Sequence, residues 1–197
     1  MMKTVKVLLL VVFCLFLVSP VFADDVTDSV KEALKYYERG EYSEAAGNLE
    51  YAAQLIRQKK GGQIQAVLPK PLSGWQAEES SSQAFGGAMM GGGVSAERTY
   101  FKDNSSVTVK IVTDSPMLQG FMMMFSNPMY ATAEGGKLEK VGGQKAIVKY
   151  DREYREGDIN LVVAHRYLVT IEGSDVTKED LTAYAQAVDY KQLEGML

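Results

Sequence analysis

Apolar positions follow three regimes along the chain. The first is an unbroken apolar run from Val7 to Val18. In the second, apolar residues recur at spacings of three and four: Val30, Leu34 and Tyr37, then Tyr42, Ala45, Ala46, Leu49, Ala52, Ala53 and Ile56. That period lines up side chains on one helix face, so two consecutive helices are predicted. From residue 76 onward alternation dominates. It is clearest in SVTVKIVT (106–113), where Val107, Val109 and Ile111 alternate with Thr108, Lys110 and Val112, as in a half-buried strand.

Local punctuation places the boundaries. Ser29 followed by Glu32 has capping-box spacing, which predicts a first helix from about Val30 to Arg39, ended by Gly40. The second helix gathers Arg57, Lys59 and Lys60 at its end, where cations suit the helix dipole, before Gly61-Gly62. Pro69, Pro71 and Gly74-Trp75 then mark a linker. Strands are predicted over 76–85, 94–101 and 106–113, the last two paired through the polar turn KDNSS. Asp114-Ser115-Pro116 opens a helix, MLQGFMMMFS, that Asn127-Pro128 closes. KLEKVGG and QKAIVKYDREY read as strands joined at Gly142-Gly143, and a long strand follows from Ile159 to Glu172. Thr177 with Asp180 opens a last helix carrying Leu181, Tyr184 and Val188 on one face. Runs of strands interrupted by helices predict an antiparallel sheet packed with helices, an α+β fold. The expected organisation is a helical hairpin over 24–62, a linker over 63–74 and an α+β domain over 75–197.

Two stretches carry a family resemblance. ALKYYERGEYSEAAGNLEYAAQL resembles a tetratricopeptide unit, with large residues on the first helix, Gly40 at the turn, Tyr42 after it, and small Ala46 and Ala53 where helices approach closely. A single such unit cannot bury a core by stacking, so the hairpin packs either on its own domain or on a partner. Further on, LPKPLSGW, a hairpin, a central helix, GGQKAIVKYD, INLVVAHRYLVTIEG and a final helix resemble the Mog1/PsbP-like family over residues 68–193. The resemblance implies a small exported α+β protein with an assisting or binding role.

The amino terminus adds a compartment. Lys3 and Lys6, the apolar run, Ser19-Pro20 and Val21-Phe22-Ala23 have the order of a secretory leader, with cleavage expected after Ala23. The one cysteine, Cys14, belongs to that segment, so the mature chain is expected to rely on an apolar core without disulfides. Losing Lys3 and Lys6 takes the formal charge from −4 to −6. A mildly acidic chain without a basic run argues against nucleic acid and anionic membrane surfaces as partners. The expected location is the periplasm, with the extracellular space as the alternative.

Little in the chain points to catalysis. One histidine and no mature cysteine leave no thiolate or paired-histidine zinc motif. His165 is expected on the same strand face as Val163, Tyr167 and Val169, where it packs or acts as a base or ligand. Asp151, Glu153, Glu156 and Asp158, beside Arg152 and Arg155, read as a charged loop or as a carboxylate or calcium site. Met117, Met122, Met123, Met124 and Met129 have two readings. Thioethers can hold Cu(I), but Met117, Phe121, Met124 and Phe125 also form one stripe suited to packing. FGGAMMGGG (85–93) lacks the lysine and following helix of a phosphate loop. It remains either a connector or a contact element offering Met89 and Met90. The expectation is therefore a non-catalytic binding or accessory protein without a cofactor, meeting another envelope protein through that loop and through Tyr36, Tyr51 and Arg57. The alternative is a carrier of a small ligand or of Cu(I).

Overall fold

The computed structural model describes residues 24–85, 93–127, 129, 132 and 135–196. The expected leader and the Met89-Met90 loop lie outside these. The chain divides into two compact units, Met1–Ala52 and Ala53–Leu197.

The first unit contains helix Asp25–Glu38 (α1) and the start of helix Tyr42–Gln65 (α2). Helix α1 begins five residues earlier than the capping box predicted. Its cap is Asp24, whose side chain accepts from the Val26 amide, while Asp25 and Asp28 place negative charge in the first turn. Ser29 is buried and donates to the Asp25 carbonyl at 2.8 Å, so it is an interior residue of the helix and not a cap. The end is as expected. Gly40 takes φ 78°, the Gly40 amide donates to Tyr37 O and the Glu41 amide to Tyr36 O, the paired bonds of a Schellman turn.

Helix α2 passes through Gly61-Gly62, where an end was expected, and reaches Gln65. A helical glycine costs about 1 kcal/mol against alanine. Full burial of Ile64 supplies about 2 kcal/mol in return. Gly61 also has a positional reason: a Cβ there would meet Ser82 Oγ at 3.0 Å, so the helix lies close against the sheet.

The second unit is built on one antiparallel sheet. Its strands are Gln76–Ala77 (β1), Ser81–Ala84 (β2), Val94–Lys102 (β3), Ser105–Thr113 (β4), Lys137–Val141 (β5), Gln144–Asp151 (β6), Glu156–Val163 (β7) and Tyr167–Ser174 (β8). The order is β1-β3-β4-β8-β7-β6-β5, with β2 also paired to β3. The expected hairpin between β3 and β4 forms in the register Val94↔Thr113 to Lys102↔Ser105. The α+β class read from the sequence is the class observed.

One sheet face carries the core. Val107, Val109, Ile111, Ile159, Leu161, Val169 and Ile171 meet Leu181 and Tyr184 of helix Lys178–Ala187 (α4) and Leu193 of helix Tyr190–Gly195 (α5). Helix α4 starts at the expected Thr177/Asp180 capping box. Helix Met117–Ser126 (α3) packs on β7 and β8. Val112, Ile147 and Leu168 are buried on the opposite face, outside the main cluster.

Asp114 does not cap α3. Ser115 Oγ accepts from the Met117 amide, while Asp114 is held by Lys60 of α2 and by Arg166 Nε at 3.3 Å. Burial pushes the Asp114 carboxyl up, but the hydrogen bonds and charges of Lys60 and Arg166 outweigh it and hold the group below its ordinary value. A depressed acid stabilises the fold above its unfolded pKa, about 4, and that contribution is lost as pH falls through the folded value. Asp114→Asn is therefore expected to lower unfolding free energy at neutral pH and to match the parent in acid. Urea unfolding at both pH values measures the difference.

Candidate functional site

The hairpin buries small residues and exposes large ones. Val30, Leu34 and Tyr37, which the period placed on one face of α1, are 44, 57 and 62% exposed, and the residues α1 buries are Ser29 and Ala33. On α2, Ala45 and Ala52 are buried, whereas Tyr42 and Leu49 are 66 and 53% exposed. Ala46 is exposed and Ala53 half-buried, so the close-approach positions lie one residue earlier than the tetratricopeptide resemblance implied. The physical reason is the width of the stripe. Residues 42 and 49 form a line about 60° round the helix from the line of 45 and 52. A close approach takes the alanines and leaves the large side chains on the outer flank.

The two exposed lines join at the turn. Tyr37 and Tyr42 face each other across Gly40 with ring centroids 5.6 Å apart, so Val30, Leu34, Tyr37, Tyr42 and Leu49 make one apolar strip. Among the expected contact residues, Tyr36 is half-buried with the Arg39 guanidinium 4.7 Å above its ring, and Tyr51 is exposed. Arg57 is half-buried in the second unit, and Met89 and Met90 fall outside the described residues. Sequence reasoning missed the strip. Its signal was a run of large apolar residues wider than a helix pair needs.

A second candidate is a cleft on the α3 side of the sheet. The long strand expected over Ile159–Glu172 is two strands, β7 and β8, joined by three residues, Ala164, His165 and Arg166. Arg166 N–H donates to the Val163 carbonyl at 3.0 Å, and Ala164 and His165 between them are left-handed, with φ 50° and 55°. Such a turn fits strand twist but favours asparagine and glycine. Alanine and histidine cost about 1–2 kcal/mol each in that conformation. His165 is consequently exposed at a turn, not packed on the strand face shared by Val163, Tyr167 and Val169.

Met122, Phe125 and Ser126 of α3, Val162 of β7, and Ala164 and His165 of the turn line a cavity of about 590 Å³, with Gln144 and Lys145 at its rim. Of the five grouped methionines, Met122 lines this cleft; Met117, Met123 and Met129 are exposed and Met124 is half-buried. No side chain of α3 is fully buried, so the expected packing stripe of Met117, Phe121, Met124 and Phe125 covers the sheet only partly.

The far end of the same face is acidic. Asp158 stands directly opposite Glu172 in the β7–β8 register, above a cavity of about 460 Å³ that Ser106, Thr108 and Glu156 also line. Burial pushes the Asp158 carboxyl up, and Glu172 adds to this against the opposing charge of Lys149. Asn160 Nδ2 donates to Asp158 at 2.5 Å, and Thr170 Oγ1 donates to Asn160 at 2.9 Å. Asp158 is thus a strand residue, not part of the charged loop in which the sequence placed it. Asp151 does serve the turn, its carboxylate accepting from the amides of Glu153 and Tyr154. Among the described residues, no three His, Cys, Asp or Glu side chains come together to hold an ion.

Comparison with known proteins adds no relative: no family model matches the chain, and neither a curated protein nor a solved structure does.

Proposed function

We propose that this protein is an exported, non-catalytic accessory protein of the cell envelope, with a Mog1/PsbP-like α+β unit and a hairpin that binds another protein. The observation that carries the reading is the strip of Val30, Leu34, Tyr37, Tyr42 and Leu49, five large apolar side chains left in water by a hairpin that buries alanines instead. Contiguous exposed apolar surface on a small chain marks a contact site. Aromatic residues are favoured at the centre of such contacts. The acidic net charge and the leader-like amino terminus support an envelope location and a protein partner.

The test is a comparison of captures from envelope extract by the parent chain and by Leu34→Ser/Tyr37→Ser/Leu49→Ser. The expected result is a discrete partner held by the parent and lost by the triple variant, while the variant's unfolding free energy from urea titration stays within about 1 kcal/mol of the parent's, as for surface changes. Equal capture by both would remove the strip from the account.

A further inference from the structure

We propose that the cleft between α3 and the β7–β8 turn binds a small amphipathic carboxylate, an apolar chain or ring carrying one anionic head. Its walls are apolar: Met122 and Phe125 on the helix, Val162 on β7 and Ala164 on the turn. A cavity of about 590 Å³ has the size of a small-molecule site, which spans about 300–1,000 Å³. Methionine and phenylalanine suit an adaptable apolar ligand, since the thioether is flexible and polarisable.

The rim supplies the sign of the head group. Lys145 lines the cleft, and Lys140 of β5 stands directly opposite it in the strand register. Like charges paired across strands are unfavourable. Neither lysine makes an ion pair among the described residues, and Glu194 on α5 is engaged by Gln144 Nε2 at 3.2 Å instead. An anion seated at this rim would relieve the lysine pair, and His165 adds an imidazole on the same side. Ser126 already donates its hydroxyl hydrogen to the Met122 carbonyl, at 2.8 Å, so cationic groups dominate recognition.

The turn gives an independent reason. Ala164 and His165 are both held in the left-handed region, although asparagine and glycine would form the same turn with less strain. What the alanine and histidine contribute is the wall and the imidazole of the cleft. Asp114 holds the next residue, Arg166, at 3.3 Å, which fixes the strained turn against α3's beginning.

Isothermal titration of the folded chain with decanoate, and with decanol as an uncharged match, tests the assignment. One saturable decanoate site is expected, with decanol at least tenfold weaker. Lys145→Glu, an exposed change, is expected to weaken decanoate at least tenfold. Ala164→Asn/His165→Gly is expected to raise the melting temperature while weakening decanoate, an opposition that a purely structural turn does not produce. Failure of decanoate to saturate, equal binding of decanol, or an unchanged affinity in Lys145→Glu would each overturn it.

Discussion

Replacing Tyr184 by alanine is expected to lower the unfolding free energy by about 3–5 kcal/mol, the range for losing a fully buried aromatic. Tyr184 has no exposed surface and joins three segments. Its ring meets Trp75 edge-on at 5.2 Å and lies over Tyr100 at 4.4 Å, and its hydroxyl accepts from the Leu72 amide at 3.5 Å. Tyr100 in turn donates to the Pro69 carbonyl at 2.5 Å. Burial pushes both hydroxyls up to about 12, so they stay protonated. Tyr184 therefore fastens residues 69–75 to α4, and alanine leaves two aromatic rings without a partner. Tyr184→Phe keeps the ring and loses one long hydrogen bond, so it should cost only about 1 kcal/mol. Thermal unfolding distinguishes the two, the alanine variant melting roughly 10 °C lower.

Gly157→Ala is the second large effect. A Cβ at this position would lie 2.3 Å from the Lys149 carbonyl oxygen and 2.9 Å from Tyr150 Cα, both backbone atoms of the neighbouring strand. Strand β6 cannot retreat, because Tyr150 is held by its hydroxyl on the Val176 carbonyl at 2.8 Å. Overpacking of this kind costs about 3 kcal/mol. The sign is informative, since glycine to alanine at an unstrained site stabilises by about 0.4–1 kcal/mol. Gly120, inside α3, provides that contrast, because a methyl group added there would meet nothing within 4 Å. Urea unfolding should show Gly157→Ala losing stability and Gly120→Ala gaining about 0.5–1 kcal/mol.

The sheet was legible because alternation encodes it directly. Val107, Val109 and Ile111 face the core as read, and the Thr177/Asp180 capping box forms as its spacing implied. The turn at Ala164-His165 was not legible, since neither residue has the turn chemistry that punctuates a strand. The end of α2 was misplaced for a related reason. Glycine pairs stop helices by local preference, but burial of Ile64 overrides a preference of about 1 kcal/mol per residue. In the hairpin the period identified two helices and the residues that share a face, but not which face is covered. Apolar residues occupied two adjacent lines, and which line is buried depends on how closely the backbones approach, where alanine fits and tyrosine does not. Of the contact residues expected there, Tyr51 stands exposed, while Tyr36 is half-buried under Arg39. The hairpin's exposed apolar strip lies at Val30, Leu34, Tyr37, Tyr42 and Leu49.

That free surface is the centre of the account, and a photo-crosslinker tests it directly. Benzoylphenylalanine at Tyr37, in the strip, should give one discrete adduct on irradiation of living cells. The same group at Tyr154, exposed on the second unit, should not. An adduct at Tyr37 alone is the predicted result; no adduct at Tyr37, or the same adduct from Tyr154, would contradict a partner-binding strip on the hairpin.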